Sequence, residues 1–390
     1  MMLGSSRTIV GVMGATTVVW LLGIVLVSGQ AAPASRPQMS EEVFKNIQVL
    51  KGIPVNDFMG IMGIFSVSLG MSCEDCHAAD DRDWTGFAVD NAKKRTARRM
   101  ILMVQEINRT NFGGRPLVSC FSCHRGADRP KVTVDLAQLY GAPPPENPSQ
   151  FLSPAPLAPA ADEVLDKYLQ AIGGAQRLAA VTSFTATGTS SGYGPEAQGR
   201  PVEIFAKAPG QRTTITHSGN GDIITTFDGK QGWISAPLRP VPVVTLIGKD
   251  LDAANLDAIL AFPAKIKEAL IGWRVGYPAV INDREVQVLQ GSTPAGVLAT
   301  MYFDTESGLL VRQLRHIESP VGPITTQVDY ADYREVSGIK MPYRWTMTWL
   351  DGRDVYELKQ VQVNAAIDAA KFAMPPAPAA PAAAGTAPRN

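Results

Sequence analysis

The chain has 390 residues, with 36 Lys and Arg set against 36 Asp and Glu, so its formal net charge is zero. That balance argues against nucleic acid as a partner, because phosphate binding calls for a basic excess. Hydrophobic residues make up 45% of the chain, which excludes general disorder, and only four Cys exclude a disulfide-stapled scaffold.

Residues 1–31 read as an export signal. Arg7 supplies the positive start, an apolar run follows from Ile9 to Val27, and the small residues Gly29, Ala31 and Ala32 come next. The run borders on the length of a membrane span, so an uncleaved anchor is the competing reading. No Cys follows directly, which gives no support to a lipoprotein anchor. Both readings send the remainder across a membrane and place it in a periplasm.

Within 38–140, Pro54 is placed to start a helix in which Phe58, Ile61, Met62 and Phe65 recur at helical spacing. Gly60 and Gly63 lower helix propensity there by about 1 kcal/mol each relative to Ala, which predicts a close approach to the backbone, here by a flat ring. A second helix is predicted over 93–108, with Met100, Met103, Val104 and Ile107 as its apolar stripe. Its basic run Lys93 to Arg99 fits a solvated face, a partner for acid groups on a cofactor, or a dock for an acidic protein. After each helix comes a C-x-x-C-H motif, Cys73-Glu74-Asp75-Cys76-His77 and Cys120-Phe121-Ser122-Cys123-His124.

C-x-x-C-H is the attachment signature of c-type haem. Two thiols three positions apart on one helical turn can each bond a vinyl group of the same porphyrin, and the adjacent His then lies under the iron. The two motifs use all four Cys and two of the four His. Zinc held by the Cys pairs and dithiol redox chemistry are the competing readings. The export signal and the His that ends each motif favour two covalently bound haem c groups, with Cys73, Cys76, Cys120 and Cys123 as anchors and His77 and His124 on the iron. The remaining axial position decides between a closed electron carrier and an open, reactive iron. Candidate Met residues stand upstream of each motif, Met59 and Met62 before the first and Met100 and Met103 before the second.

These strings, with Phe58-x-x-x-Met62, Ala97-Arg98-Arg99-Met100, Ile107-Asn108 and Cys120-x-x-Cys123-His124-Arg125-Gly126, resemble the cytochrome c subunit of photosynthetic reaction centres over about residues 40–128. The resemblance implies Met62 as axial ligand to the first iron and Met100 to the second, with Met59 and Met103 as neighbours in the helix face. A typical member of that family carries four haems, and this chain has two motifs. A photosynthetic role therefore does not follow.

Residues 141–160 hold seven Pro and predict an extended spacer. In 161–373 a helix is expected from Asp162 to Ile172, stopped by Gly173-Gly174. Alternating runs then predict strands at Phe184–Thr189, Val202–Ala206, Arg212–His217, Asp222–Phe227, Gly232–Ser235, Val286–Gln290, Ala299–Phe303, Leu309–His316, Thr325–Tyr330, Tyr343–Leu350 and Val355–Val363. Asp228-Gly229, Ser307-Gly308, Ser337-Gly338 and Asp351-Gly352 supply turns. Asp250 to Leu270 reads as helical with a break near Pro263. This layout, with Phe227-Asp228-Gly229-Lys230-x-Gly232-Trp233, resembles the periplasmic lipoprotein-carrier and sorting fold, an unclosed barrel around a helix whose members can bind acyl chains. Residues 374–390 are nearly all Ala and Pro and predict a disordered tail.

The expected fold is multidomain, an α-helical dihaem cytochrome c module followed by a mainly antiparallel β half-barrel with covering helices (α+β). The expected function is electron transfer between periplasmic or membrane-bound redox proteins, without substrate turnover, the second domain taking a lipid or protein partner. A dihaem peroxidase-like enzyme and a lipid- or partner-binding module with accessory haems are the alternatives. His217 and His316 are lone residues on predicted strands and read as ordinary ones.

Overall fold

The computed structural model describes residues 37–78, 84–134, 136, 140–141, 147–192 and 198–375. The predicted signal or anchor over 1–31 and the tail beyond residue 375 lie outside these. Seven helices are described: α1 Ser40–Val43, α2 Val55–Leu69, α3 Ala92–Asn111, α4 Cys120–His124, α5 Ala161–Ala171, α6 Ala175–Ala179 and α7 Gly248–Ala261. Pro54 stands just before α2, and Gly70 ends it in the left-handed region at φ 63°. Asn91 caps α3 by accepting a hydrogen bond from the Lys94 N–H.

Fourteen strands form one open antiparallel sheet: β1 Ser183–Ser191, β2 Arg200–Lys207, β3 Gln211–Thr216, β4 Ile223–Phe227, β5 Gly232–Ser235, β6 Val243–Leu246, β7 Ile271–Val275, β8 Ala279–Ile281, β9 Arg284–Ser292, β10 Leu298–Asp304, β11 Leu310–Ser319, β12 Gly322–Val336, β13 Ile339–Trp349 and β14 Gly352–Val363. The order is β6-β5-β4-β3-β2-β1-β14-β13-β12-β11-β10-β9-β7, with β8 also on β9. The chain enters mid-sheet at β1, runs out to one edge at β6, crosses through α7, and returns from the other edge to lay β14 beside β1, Phe184 opposite Val363. All eleven predicted strands are present, and β6, β7 and β8 are additional. The β12–β13 turn has both central residues at positive φ, Ser337 at 52° and Gly338 at 80°, the geometry that a two-residue hairpin demands.

One face of the sheet is covered by helices, as expected. Val202, Ile204, Ala206, Met301 and Phe303 point into it, and α5 answers with Leu165, Tyr168, Leu169 and Ile172. Leu256 of α7 and Ile266 of the 3-10 turn Pro263–Glu268 complete this core, so the predicted break at Pro263 is where the helix changes type. Each Val, Leu, Ile, Met or Phe among these contributes about 1.5–3 kcal/mol on burial.

The helical segment has a second, smaller core that it does not fill alone. Leu50, Phe58, Ile61, Ile64 and Ile101 are buried together with Val321, from the two-residue turn between β11 and β12, and Ile324 and Leu350 pack beside them. Part of the Pro-rich stretch runs along the sheet. The Leu152 N–H donates to Gln290 Oε1 at 2.9 Å, Gln290 Nε2 donates to the Gln150 carbonyl at 2.9 Å, and the Ala155 N–H donates to the Val275 carbonyl at 3.0 Å. The last of these bonds covers part of the edge strand β7, and the other two reach Gln290 on β9.

Candidate functional site

Both motifs form single helical turns. Cys73–Asp75 is a 3-10 turn in which the His77 N–H donates to the Cys73 carbonyl at 2.9 Å. The Asp75 carboxylate accepts from the Ser72 N–H at 2.9 Å and from its hydroxyl at 3.1 Å, which closes the start of the turn. The second motif is α4 itself. Arg125 at φ 51° and Gly126 at φ 82° end it, and the Gly126 N–H donates to the Ser68 carbonyl at 2.9 Å, tying its exit to the end of α2.

The two motif histidines are set alike. His77 Nδ1 lies 3.1 Å from the Phe87 carbonyl oxygen, and His124 Nδ1 lies 3.0 Å from that of Ala127. A carbonyl oxygen can only accept, so each Nδ1 carries a proton, and a ring with no second proton leaves Nε2 as a lone pair. That is how a metal-bound imidazole is ordinarily held. The His77 ring also lies 4.7 Å from that of Phe87. Burial and the neighbouring Lys94 charge lower its pKa, favouring the neutral form, with the Phe87 carbonyl acting the other way.

Cys73 and Cys120 are thiols rather than activated thiolates. Burial pushes Cys120 up to about 11, and Cys73 is raised by burial first and by the Asp351 carboxylate next. Among the described residues, no group of three or more His, Cys, Asp or Glu side chains converges as an ion site.

On α2, Met59 and Met62 are half-buried, Met62 against the smaller core. On α3, Met100 and Met103 are exposed, 39% and 45%, whereas Ile101, Val104 and Asn108 are buried. The helix is thus rotated from the predicted stripe, with Val104 inward and both Met outward. Phe121, Leu117 and Val67 are further exposed apolar side chains on this segment. Exposed Met and aromatic side chains beside two Cys pairs with bare imidazole nitrogens fit a large apolar group carrying a metal.

One expectation is corrected. Gly60 and Gly63 do not face a flat ring. A Cβ at Gly60 would stand 2.9 Å from Ile324 Cδ1, and one at Gly63 would stand 3.0 Å from Leu350 Cβ. The missing side chains admit the sheet, not a cofactor.

The basic run is engaged locally. Arg98 pairs with Asp90 at 2.7 Å, Lys93 lies 3.8 Å from Asp75 of the first motif, and Lys94 Nζ donates to the Phe87 and Val89 carbonyls at 2.5 and 2.8 Å. Two polar residues carry roles that sequence reasoning missed. Asn91 Nδ2 donates to the Cys76 carbonyl at 2.7 Å while its Oδ1 caps α3. Buried Asn108 clamps the chain before the second motif, donating to the Val118 carbonyl at 2.7 Å and accepting from the Val118 N–H at 2.9 Å. An Asn just before a helix is a readable cap; the second bond of each residue is not readable. His217 sits between Asp222 at 2.9 Å and Glu203 at 3.8 Å, and His316 is buried, with Nδ1 3.0 Å from Thr325 Oγ1, its pKa lowered by burial to about 4. His316 lies on β11, and His217 directly follows the end of β3.

Residues 23–139 match the family of the photosynthetic reaction centre cytochrome C subunit. The matched segment contains both motifs and both Met helices. It points to a cytochrome-like electron-transfer module that binds haem c and meets redox partners. No curated protein matches the chain. Among solved structures, a LolA superfamily protein from Nitrosomonas europaea is similar at 12% identity, covering 54% of this chain and 96% of that one with a TM-score of 0.38. A DUF1329 family protein from Desulfovibrio piger gives 9%, 55%, 98% and 0.40 in the same order. An outer membrane lipoprotein-sorting protein domain from Vibrio parahaemolyticus gives 11%, 53%, 97% and 0.36. The half-barrel architecture stands on the strand order and registers above. No helix among the described residues is long and apolar enough to cross a membrane.

Proposed function

We propose that the chain is an exported c-type cytochrome with two haem groups, passing electrons between periplasmic or membrane-bound redox proteins without turning over a substrate. Cys73 and Cys76 anchor the first group and Cys120 and Cys123 the second. His77 and His124 would hold the irons through Nε2, with Met62 and Met100 as their second protein ligands. The observation that carries this reading is the repeated imidazole arrangement, each Nδ1 directed at a backbone carbonyl. Zinc shared between the motifs would need the Cys to converge with further ligands, and thiolate chemistry would need lowered thiol pKa values; the raised values of Cys73 and Cys120 run against it. Haem iron supplies reversible one-electron chemistry, and a Met opposite the His raises its potential. The protein's own part is to engage each Nδ1 with a backbone carbonyl, keep the Cys pairs on one turn, and bring Met-bearing helices alongside.

In this reading 1–31 exports the chain and 38–140 is the redox domain. The stretch 141–160 connects it to the sheet domain 161–373, which docks a protein or lipid partner. Redox titration combined with mass determination tests it. The expected result is a mature chain carrying two tetrapyrroles, with two midpoints and a Met–Fe(III) charge-transfer band that weakens in Met62→Ala and in Met100→Ala. A chain mass without added tetrapyrrole refutes the proposal.

A further inference from the structure

The turn between β13 and β14, Leu350-Asp351, reaches the first motif from the far end of the chain. It lies against Gly63, the residue after Met62: a Cβ there would stand 3.0 Å from Leu350 Cβ and 3.4 Å from Asp351 Oδ1. The same carboxylate is the charge acting most strongly on the Cys73 thiol, after burial. Asp351 is therefore close both to the helix that carries the candidate axial Met and to the first Cys of the motif. Leu350 fixes the turn by packing with Phe58, Ile61 and Ile64 in the smaller core. On the sheet side, Arg239 of the β5–β6 loop lies near enough to feel the Asp351 charge.

A negative charge beside a metal that gains an electron opposes the reduction; Asp351 is exposed, so water and salt weaken the effect. We infer that Asp351 is a positioning and charge-setting residue for the first haem iron, its carboxylate holding that iron's potential below the value that the Cys, His and Met set would give without it. The inference rests on the haem reading proposed above. It gives the sheet domain a part in the redox centre itself, through a residue more than 270 positions from the motif it acts on.

The test is a spectroelectrochemical titration of the full-length holoprotein and of Asp351→Asn and Asp351→Glu, each at low and at high salt. Asn keeps the shape of the side chain and removes its charge. The expected result is that Asp351→Asn raises one of the two midpoints and leaves the other in place, that Asp351→Glu restores the lower value, and that the difference shrinks as salt is added. A shift produced only by rearrangement of the turn would persist at high salt, and that outcome overturns the charge-setting role. Two haems whose midpoints are unmoved by Asp351→Asn overturn the inference while leaving the proposed function standing. A chain without tetrapyrrole overturns both.

Discussion

Asn56 Nδ2 donates to Asp250 Oδ2 at 2.7 Å, joining the first turn of α2 to the first turn of α7 across 194 positions of sequence. Asp57, the next residue, faces the same carboxyl. Burial and the Asp250 charge push Asp57 up to about 7, with Lys249 opposing. Burial raises Asp250 as well, against hydrogen bonds from Asn56 and Asp57 and the charge of Arg315. The folded chain thus takes up a proton that the unfolded chain releases at the ordinary carboxylate value. This contribution to stability is complete below that value and is lost as the pH rises through about 7. Denaturant midpoints measured between about pH 4 and pH 8 are expected to fall across this window, and Asp57→Asn is expected to flatten the fall. An unchanged slope in Asp57→Asn would refute the assignment.

The approach of α2 to the sheet predicts the response to added methyl groups. Gly60→Ala gains about 1 kcal/mol of helix propensity and loses about 1–3 kcal/mol to overpacking against Ile324, so the net change is destabilising. Ile324→Val removes the Cδ1 methyl that stands nearest, at 2.9 Å. In chemical denaturation the double variant should therefore recover much of what Gly60→Ala loses, a coupling of about 0.5–3 kcal/mol. Additive losses would show that the two residues do not meet.

Under the proposed haem reading, variants of Asn91 are expected to separate stability from redox behaviour. Asn91→Ala removes the α3 cap and should lower stability by about 1 kcal/mol. Asn91→Asp keeps the acceptor for the Lys94 N–H but has no N–H to offer the Cys76 carbonyl. Thermal unfolding is thus expected to be near normal in Asn91→Asp, while one haem midpoint moves in both variants. Full recovery of the midpoint in Asn91→Asp would refute a role at the motif.

Asn108→Ala leaves the N–H and carbonyl of Val118 without their side-chain partner. The expected loss is about 2–4 kcal/mol in unfolding free energy. Asn108→Asp retains only the bond from the Val118 N–H and should fall between the two. A loss well below 1 kcal/mol for Asn108→Ala would mean that water replaces the clamp.

Much of this architecture is written locally. The sheet strands from β1 to β5 and from β9 to β14 announce themselves by alternation and by turn residues such as Ser337-Gly338. β6 lies just after Pro240 and Pro242, β7 contains Gly272, and β8 has three residues, so each is too short or too interrupted to show a period. The motif chemistry is likewise local, because C-x-x-C-H needs only one turn. What the sequence does not reveal is who approaches whom. Gly60 and Gly63 announce a close contact but not its partner, and Ile324 and Leu350 enter through the topology of a sheet that the glycines precede by more than a hundred residues. The rotation of α3 that turns Val104 inward and Met100 outward is set by the same packing, since Ile101 shares its core with Val321.

Val321 is fully buried at the tip of a hairpin, yet the side chains around it belong to the helical segment. During synthesis the stretch bearing both Cys pairs leaves the ribosome nearly two hundred residues ahead of that valine. If tetrapyrrole is attached as proposed, the thiols would be met on a chain whose interior is still missing its keystone, and arrival of the sheet would then seal a site already loaded.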